Sequence, residues 1–408
     1  MREEVRTEID DLVSRKLPAL VALYQDFHAE PELSGEEVQT AEQLAAELEA
    51  AGISVTSEIG GHGVVGVLEN GPGPVVMLRA DMDALPVQEE TGLPYASRRP
   101  GVMHACGHDL NMTALVGAAG VLAGIRKAWS GTLLFVGQPA EETVAGARAM
   151  LRDGLFTRFP RPSCAVAVHA GPDIPSGSVG TRSGVLSAGG ESIDLVVRGL
   201  GGHAAHPDQA RDPVVIAAET ILALQTLRSR EIDPNEFFVL TVAAVHGGSK
   251  HNTIPDEVTM KVNLRYHHSA VRDQGLEGVR RITTGVARAA GVPEDLMPVV
   301  TVIDESVPPL VTDAGLTDRC VAAAEEILGE GKVIEIPPIS GSEDFAVYGQ
   351  EGVPLVYFRV GTMVGGKPGP YLHSSHFAPE QTNAIKSATL TLVASALACV
   401  GKDQESSG

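Results

Sequence analysis

Apolar residues recur at helical spacing over 4–29, where Val5, Ile9, Leu12, Leu17, Leu20, Val21 and Tyr24 form one stripe. The pattern predicts one or two amphipathic helices. Pro31 interrupts it. Ser34 stands where an N-cap would, Glu36 and Glu37 fall in the first turn of a second helix to about residue 51, and Gly52 stops it. Short apolar runs then predict strands at 63–68, 75–79, 133–136 and 165–168, with a small-residue helix over 113–127. The pattern changes near residue 187. Alternation predicts strands at 191–197, 237–245, 257–266 and 298–303, with helices at 212–228 and 270–290. That order, βαββαβ, is a ferredoxin-like α+β unit. After residue 305 the mix of helices and short apolar strands resumes, with a helix over 313–328, a strand over 355–359 and a closing helix over 380–400. The tail 403–408 is polar and expected to fray.

Strands alternating with helices imply an α/β fold with a mostly parallel sheet. The expected division is 1–186 and 305–408 as one domain, with 187–304 inserted into it. In parallel sheets, sites form at the carboxyl ends of the strands. Apolar runs here lead into Asp81 and Asp83, into Glu141 and Glu142, and into His169, and the segment His104-Ala105-Cys106-Gly107-His108-Asp109 follows less directly. These groups are therefore expected to converge.

Composition narrows the partners. The chain has 408 residues, 43% hydrophobic and 20% charged, with a net charge of -21. No basic run offers a nucleic-acid surface, so no nucleic-acid partner is expected. No apolar run reads as long enough to span a bilayer, and the charged N-terminus carries no secretory h-region, so a cytoplasmic protein is expected. Cys106, Cys164, Cys320 and Cys399 are scattered, which argues against a disulfide framework.

Cys106, His108, Glu142, His169 and His373 offer nitrogen, sulfur and oxygen donors. Five donors exceed one tetrahedral zinc, so a two-metal site or one ion of higher coordination is implied. Of the adjacent pair Glu141 and Glu142, one carboxylate can bind metal while the other takes a proton from water. The residue types alone do not order the pair. In the insert, His203 and His206 flank a small-residue loop, and an imidazole there could face an oxyanion. Asn252 and Arg265, read as ending the two central strands of the insert, suit recognition of a carboxylate.

These motifs together resemble the M20-type metallo-amidohydrolases, in the branch of hippurate hydrolases, N-acyl-amino-acid amidohydrolases and auxin–amino-acid conjugate hydrolases. The carriers are Pro31-Glu32-Leu33-Ser34, Arg79-Ala80-Asp81-Met82-Asp83-Ala84-Leu85-Pro86, 104–109, Gln138 to Glu142, Gly202-His203-Ala204-Ala205, Asn252-Thr253-Ile254-Pro255-Asp256, Glu343-Asp344-Phe345 and His373-Ser374. The resemblance covers nearly the whole chain. It implies a zinc-peptidase-like di-metal catalytic domain with an inserted lid that also forms a homodimer. It implies two divalent ions, Mn²⁺ or Zn²⁺, on Cys106, His108, Glu142, His169 and His373. Glu141 becomes the general base, Asp83 an acidic neighbour of the metals, and His203 the lid histidine. Asn252 and Arg265 become the groups that hold the substrate carboxylate. The implied substrate is a small N-acyl amino acid.

Two positions depart from the pattern. Asn111 and Glu30 stand where many relatives have His, and neither position is a ligand in the family's pattern. His376 reads as a structural neighbour of His373. The rival readings are a dipeptidase or carboxypeptidase of the same superfamily, and a binding protein that kept the fold. A redox role for Cys106 lacks a resolving cysteine nearby in sequence.

Overall fold

The computed structural model describes residues 2–401; the tail 403–408 lies outside the described residues. The chain forms two compact units. One comprises the chain up to Leu186, Val311–Pro338, and Asp344 onward; the other is Ser187–Leu310 with Ile339–Glu343.

The first unit is built on an eight-stranded sheet. Its four central strands, Gly131–Gln138, Val75–Asp81, Cys164–Pro175 and Leu355–Met363, run parallel in that spatial order. A pair of strands flanks them on each side, joined to the centre by an antiparallel strand. Ser54–Ile59 and Gly63–Asn70 lie on one side, and Val179–Thr181 with its parallel neighbour Val333–Glu335 on the other. The central strands are buried almost throughout, which is why they read as continuous apolar runs.

Helices Glu3–Ala29, His108–Gly124, Ala314–Leu328 and Gln381–Val400 pack together over this sheet's core. Small residues allow close approach: a Cβ on Gly117 would lie 2.7 Å from Thr389 Oγ1. Gln381–Val400 is long and apolar enough to cross a membrane by length and composition, contrary to the sequence reading. Yet 78% of its apolar window is buried, so it is accounted for as a core helix.

Several sequence expectations shift, each for a local reason. Residues 4–29 form one helix that tolerates Pro18 inside it and ends at Ala29. The next helix is Val38–Ala50, and Ser34 does not cap it; the Ser34 hydroxyl donates to Asp83 Oδ2 instead, at 2.6 Å. The helix expected from 113 starts at His108, because its polar first turns are buried and hid its periodicity. His169 lies inside its strand rather than after it, since that strand continues to Pro175. Ser54–Ile59, mostly exposed, lies outside the expected strands.

The second unit is a four-stranded antiparallel sheet in the order Phe238–Gly247, Glu257–Tyr266, Gly189–Arg198, Val299–Val302. Helices Pro213–Thr226 and Ser269–Ala289 pack against the sheet's apolar residues. This is the βαββαβ connection of a ferredoxin-like unit.

Candidate metal centre

His108 opens its helix immediately after Gly107, whose φ of +86° favours glycine and where a Cβ would lie 2.7 Å from that of Ala170. The bend aims the imidazole at the strand ends. His108 Nδ1 donates to the backbone oxygen of Asp83 at 2.8 Å, which fixes the tautomer and turns Nε2 toward the other donors. His169 is held in the same way. Its Nδ1 donates to Ala170 O at 3.0 Å, and its Nε2 faces Cys106 Sγ at 3.5 Å.

The acidic pair sits on a turn with an unusual backbone. Ala140 and Val144 have φ of +52° and +51°, a region that non-glycine residues occupy at a cost. Hydrogen bonds hold that turn, among them Ala140 N to Glu37 Oε1, Glu142 N to Asp83 Oδ2, and Val144 N to Glu141 O. Glu141 Oε2 and Glu142 Oε1 thereby stand 3.9 Å from His108 Nε2. His373, also left-handed at +66°, brings its Nε2 within 3.5 Å of Glu142 Oε1. Its backbone N–H is tied to Ala105 O.

The unit thus brings Cys106, His108, Glu142, His169 and His373 together, with Glu141 and Asp83 beside them. Cys106, His108 and His169 place three donor atoms within 4.8 Å of one another, and so do Cys106, Glu142 and His373. The donor set fits a pair of divalent cations. His108 Nε2 and Glu142 Oε1 are buried without a hydrogen-bond partner among the described residues. Burial, reinforced by Glu142, pushes the Cys106 thiol well up, and burial also raises Glu142. A cation at this point would reverse both penalties.

The second unit distributes its candidates differently. Its His203 and Asn252 are exposed neighbours: His203 pairs with Thr253 across a two-residue ribbon, and Ala204 N donates to Asn252 O. Arg265 pairs with Val239 near one end of its strand, whereas Asn252 follows Gly247, which pairs with Val258 at the other end. At ~3.3 Å per residue the sheet holds those ends about 20 Å apart. Asn252 therefore lies in the turn just before Thr253–Ile254, not at the end of a central strand, and the asparagine beside Arg265 is Asn263. Arg265 Nε donates to Asn263 Oδ1 at 2.8 Å and Nη1 donates to Ser342 Oγ. Both partners are neutral, and among the described residues no carboxylate pairs with this half-buried cation.

The model of the peptidase family M20/M25/M40 matches residues 77–395. The chain belongs to this family. An N-acetyl-L-cysteine deacetylase of Bacillus subtilis is 35% identical over 84% of this chain and 80% of its own. An IAA-amino acid hydrolase, ILR1-like 2, of Arabidopsis thaliana is 36% identical over 81% of this chain and 74% of its own. The crystal structure of the Bacillus subtilis YXEP protein, described as a dinuclear metal binding peptidase from the M20 family, superposes with a TM-score of 0.79. It is 28% identical and covers 95% of this chain and 99% of its own. Membership makes this M20 chain a metal-dependent hydrolase acting on amides.

Several supporting residues of the M20 site escape sequence reasoning. Glu37 reads as a helix-start acid, yet it is buried and anchors the acidic turn. Asn111 Nδ2 donates to Asp81 Oδ1 at 2.7 Å, so that departure serves a buried carboxylate next to His108. His376 is exposed and bonded to the Glu90 backbone oxygen, a structural role. His104 is buried, neither ring nitrogen has a hydrogen-bond partner among the described residues, and burial lowers it to about 4.

His28, from the first helix, is wholly buried between two carboxylates. Nδ1 donates to Asp109 Oδ2 at 2.7 Å and Nε2 to Glu89 Oε1 at 3.3 Å. Burial alone would lower its pKa, but the two carboxylates outweigh it and hold the group at about 9. A folded pKa above the unfolded 6.5 stabilises fully below pH 6.5 and ceases to do so as pH rises through 9. His28→Gln should therefore melt well below wild type at pH 6, and the gap should narrow steadily toward pH 9.5. Calorimetric melting across that range checks it; a gap constant with pH would refute the charged state of His28.

Proposed function

We propose that the protein hydrolyses the amide bond of N-acyl amino acids. The observation that carries the reading is the convergence of five metal donors on a strained, braced turn that presents Glu141 beside them. Cys106, His108, Glu142, His169 and His373 would hold two divalent cations, manganese or zinc, which when bound would polarise the amide carbonyl and make a water more acidic. Glu141 takes a proton from the attacking water and delivers it to the leaving amine nitrogen. Asp83 orients His108 through its backbone oxygen and the acidic turn through its carboxylate. His203 is assigned hydrogen-bond donation to the developing oxyanion, and Asn252 a polar contact to substrate. Arg265 is assigned the free carboxylate of the amino-acid portion; a cation resting on two neutral groups supports that role.

The amino acid hydrolase and deacetylase names of the two relatives support the N-acyl amino acid class. The test is a turnover panel on metal-stripped protein reloaded with Mn²⁺ or Zn²⁺. N-acetyl, N-benzoyl and long-chain N-acyl amino acids are compared with free dipeptides. Release of free amino acid from the N-acyl compounds, dependent on the added ion, is expected. Release from dipeptides alone would replace the reading with a peptidase, and no release with either ion would end it.

Arg265→Ala separates recognition from chemistry. A lost charge-assisted contact is worth about 1.5–3 kcal/mol, so kcat/KM for a carboxylate substrate should fall roughly 10- to 100-fold, mostly through KM. The corresponding substrate carboxamide should be little affected. Equal losses on both substrates would remove Arg265 from carboxylate recognition.

A further inference from the structure

Three of the four cysteines, scattered in sequence, meet in the first unit. Cys164 is the first residue of Cys164–Pro175, Cys399 the penultimate residue of Gln381–Val400, and Cys320 lies within Ala314–Leu328. The Cys164 thiol donates to Cys399 Sγ across 3.5 Å, and Cys320 lies close enough to Cys399 to influence its titration. His169, at the candidate metal centre, lies five residues farther along the strand that Cys164 begins, roughly 16 Å away at ~3.3 Å per residue. None of the metal or base roles uses these thiols.

We propose that Cys399 and Cys164 form a peroxide-sensitive thiol pair that closes to a disulfide. Access differs among the three sulfurs. Cys399 is half-buried and, with Cys164, Ser163, Asp313, Arg319 and Pro354, lines a surface cavity of about 260 Å³. Hydrogen peroxide is far smaller than that space. Cys320 is fully buried and does not line it. The hydrogen bond from Cys164 and the nearby Cys320, helped by the Arg319 guanidinium, draw the Cys399 thiol down. Cys399, the most accessible of the three, is thus the group assigned the peroxide-reactive thiolate.

The backbone holds the pair in register. Ser130 N donates to Val400 O beside Cys399, and Ser163 N donates to Val75 O beside Cys164. Closing from 3.5 Å to a bonded distance of ~2.05 Å then needs side-chain rotation, at two residues that sit at element ends.

The chemistry balances with peroxide as the oxidant. The Cys399 thiolate attacks one peroxide oxygen, the O–O bond breaks, and hydroxide leaves, giving a sulfenic acid at Cys399. The Cys164 sulfur attacks that sulfur and the sulfenic oxygen departs as water. Two thiols and one hydrogen peroxide become one disulfide and two waters.

The test uses the full-length protein treated with hydrogen peroxide, quenched with maleimide and digested without reduction. Mass spectrometry should find the Cys164 and Cys399 peptides joined, and dithiothreitol should separate them. In Cys164→Ala, dimedone should label Cys399. In Cys399→Ala, no dimedone adduct should appear at Cys164. Wild-type protein whose Cys164 and Cys399 both remain open to maleimide after peroxide would overturn the proposal. So would a linkage of Cys399 to Cys320, or oxidation confined to Cys106.

Discussion

Glu141→Gln should abolish most turnover while leaving bound metal near the wild-type amount. Glutamine keeps the size of the side chain and its acceptor oxygen, but it cannot take up a proton. General-base catalysis typically contributes ~10²- to 10⁴-fold, so kcat should fall by that order. Metal content should hold because the donor atoms of Cys106, Glu142 and His373 cluster without it, as do those of Cys106, His108 and His169. The neighbouring change, Glu142→Gln, carries the opposite expectation. Glu142 Oε1 stands between His108 Nε2 and His373 Nε2, so losing its charge should lower metal content along with activity. Metal analysis of both variants alongside kcat orders the pair. Wild-type turnover in Glu141→Gln, or metal lost from it rather than from Glu142→Gln, would exchange or remove the roles.

How far the molecule is readable from sequence depends on what each signal reports. Apolar runs report burial, so they reveal the central strands, and strand-end position reveals Asp81, Asp83, Glu141 and Glu142. The residues that brace the site escape for the converse reason. Glu37 is polar by type and buried by fold, and its position at a helix start offers an ordinary explanation. The first turns of His108–Gly124 carry His108, Asp109, Asn111 and Thr113, all buried, so the periodicity is silent where the helix begins. Asn252 is misplaced by sequence reasoning because the ribbon strand it leads into, Thr253–Ile254, is too short to leave an alternating pattern. The cysteine cluster is invisible because Cys164 and Cys399, 235 positions apart, are joined only by the packing of the last helix on the sheet. Arg79 does leave a signal: a cation inside the apolar run 75–80 has to find buried partners.

Those partners make Arg79→Met the substitution with the largest expected effect on stability. The guanidinium is fully buried. It donates through Nη1 to Asp81 Oδ2 at 2.7 Å, through Nη2 to Asp344 Oδ1 at 3.0 Å, and through Nε to Gln138 Oε1 at 3.0 Å. Asp344 also accepts from Gln138 Nε2 and from Ala147 N, so the cluster ties a central strand to the segment following the acidic turn. Methionine fills much of the volume but leaves two carboxylates buried without their cation. Breaking a buried pair by removing one partner costs about 3–5 kcal/mol, more than the ion pair itself need contribute. For a domain of this size that corresponds to a fall in Tm on the order of 10 °C. Adding Asp344→Asn should recover part of the loss, because it removes one of the stranded charges while keeping an acceptor oxygen. Thermal melts of the wild type, the single and the double variant measure the coupling. A single variant melting within about 2 °C of wild type, on the same scale of stability per degree, would mean that Arg79 is not what keeps those carboxylates ionised in the core.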